Sequence, residues 1–137
     1  MEWNENLATG YEEIDNQHKE LINRLNYVLD LCVREEGRDV VREALDSWGA
    51  YTIDHFRGEE RLQREHEYPG YPAHRERHDS LVEAIQELHE RLDGEEPLSA
   101  LSMQINSSFA PELTQHFFED DSRLVRHIKE RQALPVS

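Results

Sequence analysis

The chain has 137 residues, of which 36% are hydrophobic and 33% charged, and its 15 Lys+Arg against 30 Asp+Glu give a formal net charge of −15. That length fits one domain with a core of its own. The acidic balance disfavours nucleic acid, whose phosphates it would repel, and it offers no basic patch to anionic lipid. No apolar run approaches the roughly 20 residues of a membrane span. Cys32 is the only cysteine, so no internal disulfide can form, and the opening Met1-Glu2-Trp3-Asn4-Glu5 lacks the basic start and apolar stretch of a signal peptide. The expectation is a cytoplasmic protein with no nucleic-acid or membrane partner.

Residues 1–14 read as a short N-terminal arm carrying Trp3, Leu7, Gly10, Tyr11 and Ile14. Its aromatics are expected to pack on the chain's own bundle, which favours a monomer. Asp15 is the expected N-cap of a first helix over 15–34. His18 begins that helix's stripe, Leu21, Leu25, Val28 and Cys32 continue it, and Glu35-Glu36-Gly37 ends it. The second helix, 39–66, starts near Asp39 and turns Leu45, Trp48, Tyr51, His55, Glu59 and Leu62 to one face before Pro69, Gly70 and Pro72 break it. The third, 72–93, places His74, His78, Leu81, Ile85, Leu88 and Leu92 at alternating three- and four-residue steps, a packing seam. The fourth, 98–131, runs through Leu101, Ile105, Phe109, Leu113, His116, Phe117, Leu124 and Ile128, with Pro111 expected to kink it or mark a late start. No strand-like alternation, internal repeat or second domain competes. Short connections between helices imply antiparallel neighbours, so the predicted fold is all-α: an antiparallel up-down-up-down four-helix bundle with an N-terminal arm, one domain over 1–137.

Seven side chains on these stripes share a chemistry. His55 and Glu59, and again His74 and His78, stand four residues apart, one turn along a single helix face. His18, His116 and Asp121 add donors from the remaining helices. A lone histidine on an apolar stripe is ordinarily a satisfied core residue. Five imidazoles and two carboxylates buried together would be costly without partners, and metal supplies them. One structural zinc takes four ligands, often cysteine-rich, and calcium and magnesium prefer oxygen. Imidazole with carboxylate suits iron, manganese or two zincs. If the ions are two octahedral irons and both carboxylates bridge them with one bridging oxygen, a single coordination position stays open, where a diatomic or small anion fits. His116 and Asp121 are five residues apart, about 140° around an α-helix, so Asp121 must reach sideways. Asp121 also belongs to an acidic run, Glu119-Asp120-Asp121. His66, His89 and His127 have no matching partner and read as surface residues.

At this point the chain resembles the hemerythrin family, in its single-domain bacterial form, the bacteriohemerythrins. The resemblance rests on Gly10-Tyr-Glu-Glu-Ile-Asp15-Asn-Gln-His18, His55-Phe56-Arg-Gly-Glu59-Glu60, Tyr68-Pro69, His74-x3-His78 and His116-x4-Asp121, and runs from Trp3 to about residue 130. It implies a non-haem di-iron site, oxo- or hydroxo-bridged, and no enzyme. His74, His78 and His116 would complete one iron. His18 and His55 would hold the other and leave its sixth position open, and Glu59 and Asp121 would bridge the pair. In the family dioxygen binds at the open iron as both ferrous ions are oxidised; nitric oxide or small anions are further candidate ligands. Two departures stand out. Glu112 occupies the place where the family usually has tryptophan, and Gln63 replaces a common methionine, so the pocket region is more polar. Glu112 either faces the pocket, where it admits water, takes a proton or binds iron, or turns to solvent as Pro111 bends the helix.

Three other functions use parts of the same pattern. A sensor or an iron or oxygen buffer would keep the site and differ in output. A metal-dependent phosphohydrolase of the HD kind would use His55, the His78-Asp79 dyad and Asp121, and would leave His18, Glu59, His74 and His116 without roles. A ferritin-like di-iron oxidase would need Glu-x-x-His motifs, which are absent; Asp15-Asn-Gln-His18 is the nearest approach.

Overall fold

A computed structural model describes residues 2–34 and 36–133, so the Glu35 part of the expected first-helix stop lies outside the described residues. Three long helices, α1 (Glu12–Val33), α2 (Arg38–Glu65) and α3 (Tyr71–Asp93), are followed by a fourth helical run, here α4, over 98–133. The α4 run alternates α-helix (Leu98–Gln104, Ala110–Gln115, Ser122–Ala133) with two wider π turns (Ile105–Phe109, His116–Asp121). α1 packs on α2 and α4, and α3 packs on the same two, so the four helices close into an antiparallel square. The protein is the all-α four-helix bundle that the stripes imply. Among the described residues no helix is long and apolar enough to cross a membrane.

The arm is a working part of the bundle. A 3-10 turn over Glu5–Leu7, capped by the Asn4 side chain, buries Leu7 in the main core, and Trp3 packs beside it. Asp15 does not cap α1 as expected. The helix begins at Glu12, and Gly10, at φ +86°, folds the preceding chain back over it. Asp15 therefore accepts from Thr9 N–H (2.8 Å), Thr9 Oγ1–H (2.7 Å) and Gly10 N–H (3.1 Å), holding the arm from inside the first turns. The left-handed turn suits glycine, and a Cβ there would stand 2.5 Å from Lys129 Nζ.

α2 ends where Glu67 adopts a left-handed φ of 50° and Tyr68 N–H returns to the Gln63 carbonyl (2.9 Å). Pro72 does not break a helix; it sits in the first turn of α3, where its missing N–H is harmless. Nor does Pro111 mark a late start. α4 begins at Leu98, and a π turn lies just before the proline, where its ring would otherwise crowd the carbonyl one turn back.

The main core occupies one end of the bundle. Leu21, Leu25, Leu45, Trp48, Leu81, Leu88, Ile105 and Leu113 are among its fully enclosed side chains. Trp48 donates its indole N–H to the Leu21 carbonyl (3.0 Å) and meets Phe109 edge-on at 5.3 Å, which locks α1, α2 and α4 together. A smaller cluster of Ile14, Leu124, Val125 and Ile128 closes the other end. Between these two apolar plugs the interior is polar.

Candidate metal centre

That polar layer contains all seven candidate donors. His18 comes from α1, His55 and Glu59 from α2, His74 and His78 from α3, and His116 and Asp121 from α4, and each is at most 4% exposed. Their side-chain atoms form two overlapping groups able to hold a metal: Glu59, His74, His78, His116 and Asp121 on one side, and His18, His55, Glu59 and Asp121 on the other. Glu59 and Asp121 belong to both. Glu59 turns Oε1 to His78 Nε2 (3.0 Å) and His74 Nε2 (3.5 Å), and Oε2 to His55 Nε2 (3.1 Å) and His18 Nε2 (3.6 Å). Asp121 turns Oδ1 to His74 Nε2 (2.9 Å) and His116 Nε2 (3.4 Å), and Oδ2 to His18 Nε2 (2.9 Å).

These short separations are mostly not hydrogen bonds. His18 Nε2, His55 Nε2, His74 Nε2, Glu59 Oε2 and both Asp121 oxygens are buried without an aligned partner, although each has a donor or acceptor nearby. Their lone pairs converge on common centres instead of on one another. Two atoms held about 2.1 Å from one octahedral ion at right angles stand about 3 Å apart, which is the spacing found. The donor set therefore fits metal, and its imidazole-rich, thiol-free chemistry fits iron.

The π turn accounts for the five-residue step. In a regular α-helix His116 and Asp121 diverge by about 140°; the wider turn from His116 to Asp121 returns both to the same interior face, and both are fully enclosed. Single π turns of this kind recur at functional sites.

A second layer orients three imidazoles. His78 Nδ1–H donates to Glu60 Oε2 (2.8 Å), His116 Nδ1–H to Asp120 Oδ2 (2.9 Å) and His55 Nδ1–H to Gln17 Oε1 (2.6 Å). Each bond fixes the tautomer that presents Nε2 to the centre. Glu60 and Asp120 are themselves held from the surface by Arg57 (3.2 Å) and Arg77 (3.4 Å). Phe56 stacks on His78 at 4.1 Å and Phe117 on His18 at 3.7 Å, so aromatic walls keep water from these rings. A surface cleft of about 210 Å³ between α1 and α2, lined by Tyr11, Ile14, Gln17, Gly58 and Leu62, reaches down to Glu59.

Without metal the cluster is a network of charges. Burial alone would pull the pKa of His18 down, but the carboxylates Asp121 and Glu59 reverse this and raise it to about 9. His74 is likewise raised to about 9 against burial by the same two carboxylates, and His116 to about 10, through Asp121, Asp120 and Glu59. For Asp121 burial and the Glu59 charge push upward, yet His116, His18 and His74 win and hold its pKa at about 2. Glu59 is also held well below the usual range by the surrounding imidazoles, despite its burial.

The outer partners are what sequence reasoning missed. Glu60 and Asp120 are the inner or half-buried twins in Glu59-Glu60 and Asp120-Asp121, and the doubling of each carboxylate was the available signal. Gln63, not Leu62, is the innermost residue at its level of α2. His66, His89 and His127 are half-buried instead of free surface residues: His89 joins Asp46 (2.7 Å) to the Ile85 carbonyl (3.0 Å), and His127 donates to the His66 carbonyl (2.9 Å). Asp79 is exposed while His78 is buried, which leaves the phosphohydrolase arrangement without its dyad. Glu112 is half-buried and stands outside both donor groups, so its position does not support iron binding by Glu112 itself.

Comparison with known proteins finds similar chains. The family model described as the Hemerythrin HHE cation binding domain matches residues 9–128. A bacteriohemerythrin of Stenotrophomonas maltophilia (strain R551-3) is 29% identical over 127 residues, covering 93% of this chain and 80% of the relative. A bacteriohemerythrin of Aquifex aeolicus (strain VF5) is 26% identical over 115 residues, 84% of this chain and 87% of the relative. A myohemerythrin of Riftia pachyptila is 29% identical over 91 residues, 66% of this chain and 70% of the relative.

Proposed function

The chain belongs to the hemerythrin family, and from that premise we propose that this non-haem iron protein carries two irons in its polar layer and binds dioxygen there. In this reading His74, His78 and His116 hold one iron, His18 and His55 hold the other, and Glu59 and Asp121 bridge them. The observation that carries it is the division of each carboxylate: one oxygen of Glu59 and of Asp121 faces each donor group. The donor groups are also unequal, five residues against four, which supports an external ligand on the His18–His55 side. Two ferrous ions would supply the electrons for reversible dioxygen binding.

The chain's own residues do the rest. Glu60, Asp120 and Gln17 hold His78, His116 and His55 in the ligating tautomer. Phe117, stacked on His18, makes one wall of the less crowded side apolar. The two carboxylates neutralise much of the charge that two divalent ions would bring into a buried layer. In this reading the protein is a cytoplasmic monomer whose arm packs on its own bundle.

Metal analysis with visible spectroscopy tests the reading. Protein reconstituted anaerobically with ferrous iron should hold two irons per chain and develop oxo-bridged charge-transfer bands on exposure to oxygen. One zinc, or no iron after reconstitution, overturns it.

A further inference from the structure

Outside the seven candidate donors, two described residues bury side-chain polar atoms without a hydrogen-bond partner: Trp3, through its indole nitrogen, and Gln63, through both Nε2 and Oε1. Gln63 is fully enclosed. An unmatched buried polar group is destabilising, so an enclosed amide with both ends free is retained where something polar meets it.

The candidate donors show a matching gap. His55, His78 and His116 each have an outer partner for Nδ1–H, whereas the buried Nδ1 atoms of His18 and His74 have none. Helix register decides which of the two Gln63 serves. α2 and α3 run antiparallel, with Asp46 beside His89 and Glu59 beside His78. Gln63 lies one turn beyond Glu59 on α2, and His74 lies one turn before His78 on α3, so they stand at the same level. Tyr68, whose N–H binds the Gln63 carbonyl, sets its ring edge-on to His74 at 6.4 Å. On α1 the residue opposite His55 is Gln17, which places the His18 backbone about 13.5 Å of helix rise from the level of Gln63.

We propose that Gln63 is the outer hydrogen-bond partner of His74, its Oε1 accepting from one buried water that in turn accepts the Nδ1–H. This rests on His74 being a metal ligand. The bond fixes His74 with its proton on Nδ1 and its Nε2 lone pair toward the centre. It also makes the three imidazoles of that side unequal. His78 and His116 lean on charged carboxylates, which enrich their rings with electron density, while His74 leans on a neutral amide. Gln63 is thus a positioning residue, and its neutrality limits the negative charge around one ion.

The test uses the full chain with 15N-labelled histidine, loaded with zinc(II) as a diamagnetic probe and read by long-range 1H–15N correlation. In the parent the His74 ring should show a metal-bound Nε2 and a slowly exchanging Nδ1–H. In Gln63→Met, nearly equal in volume, that proton should exchange at least tenfold faster while the Nδ1 protons of His55, His78 and His116 keep their rates, and zinc affinity should fall about tenfold or more. Gln63→Glu should restore slow exchange, which a purely packing role would not do. A His74 Nδ1–H that is fast in the parent, or unchanged in Gln63→Met with Nε2 still on the metal, overturns the proposal. A parent in which His74 Nε2 is free of metal overturns the ligand assignment itself, and the two failures are read from different nitrogens.

Discussion

Loading the metal-free protein with two divalent ions at pH 7 should release about three protons per chain. His18, His74 and His116, with pKa values of about 9, 9 and 10, each carry a proton at that pH. A metal bound at Nε2 takes the lone pair that this proton occupies, so the proton must leave. Asp121 at about 2, and Glu59 well below its usual value, arrive already ionised and release none. Three displaced protons make the overall constant for binding both ions fall about a thousandfold per pH unit well below pH 9, tenfold for each proton. Titrating zinc(II) or anaerobic ferrous iron into protein in buffers of different ionisation enthalpy counts the protons by calorimetry. The count should shrink as the starting pH passes from 8 to 10.5. Ionisation of a bridging water would add to the count and never subtract from it. A release below two protons at pH 7, or one that does not change up to pH 10.5, would refute the charge network described for the cluster.

The same shifts set the stability of the metal-free protein against pH. The three histidines have folded pKa values above the model value of 6.5, so their stabilisation is complete below about pH 6.5 and is lost as pH rises through 9 to 10. Asp121 is depressed from 3.8 to about 2, so its contribution is present above pH 3.8 and fades toward pH 2. Urea midpoints should therefore peak between about pH 4 and 6.5 and decline toward pH 10; a midpoint still rising at pH 9 contradicts this. Replacing Asp121 by Asn removes one carboxylate charge from both donor groups, while His74, His78, His116 and Glu59 remain on the richer side. Iron content should drop from two to about one per chain by elemental analysis, and two irons with the parent spectrum would argue against bridging. Glu112 is half-buried and lies one turn before His116 along α4. Glu112→Trp should slow autoxidation of the oxygenated protein at least severalfold, and equal rates would clear this residue of the effect.

Local periodicity made much of this protein legible. A period of 3.6 residues places His55 with Glu59, and His74 with His78, on shared faces whatever surrounds them, and it defines the stripes that make the chain a bundle. Three things were beyond its reach. The step from His116 to Asp121 misleads under α-helical geometry, because a π turn depends on how the whole of α4 settles against its neighbours. Asp15 looks like a cap but holds the arm, since the fold-back at Gly10 decides which donors reach it. Asp120 meets His116 within α4, but the outer partners Glu60, Gln17 and Gln63 depend on the rotation and register of one helix against another, set by packing between distant segments such as Trp48, Leu21 and Phe109. Which side chains carry donor atoms, and on which helix faces they lie, follows from residue order and helical period alone. Which carboxylate oxygen meets which imidazole of another helix, and which imidazole is left to an amide, depends on how the helices pack, because those pairings join residues of separate helices.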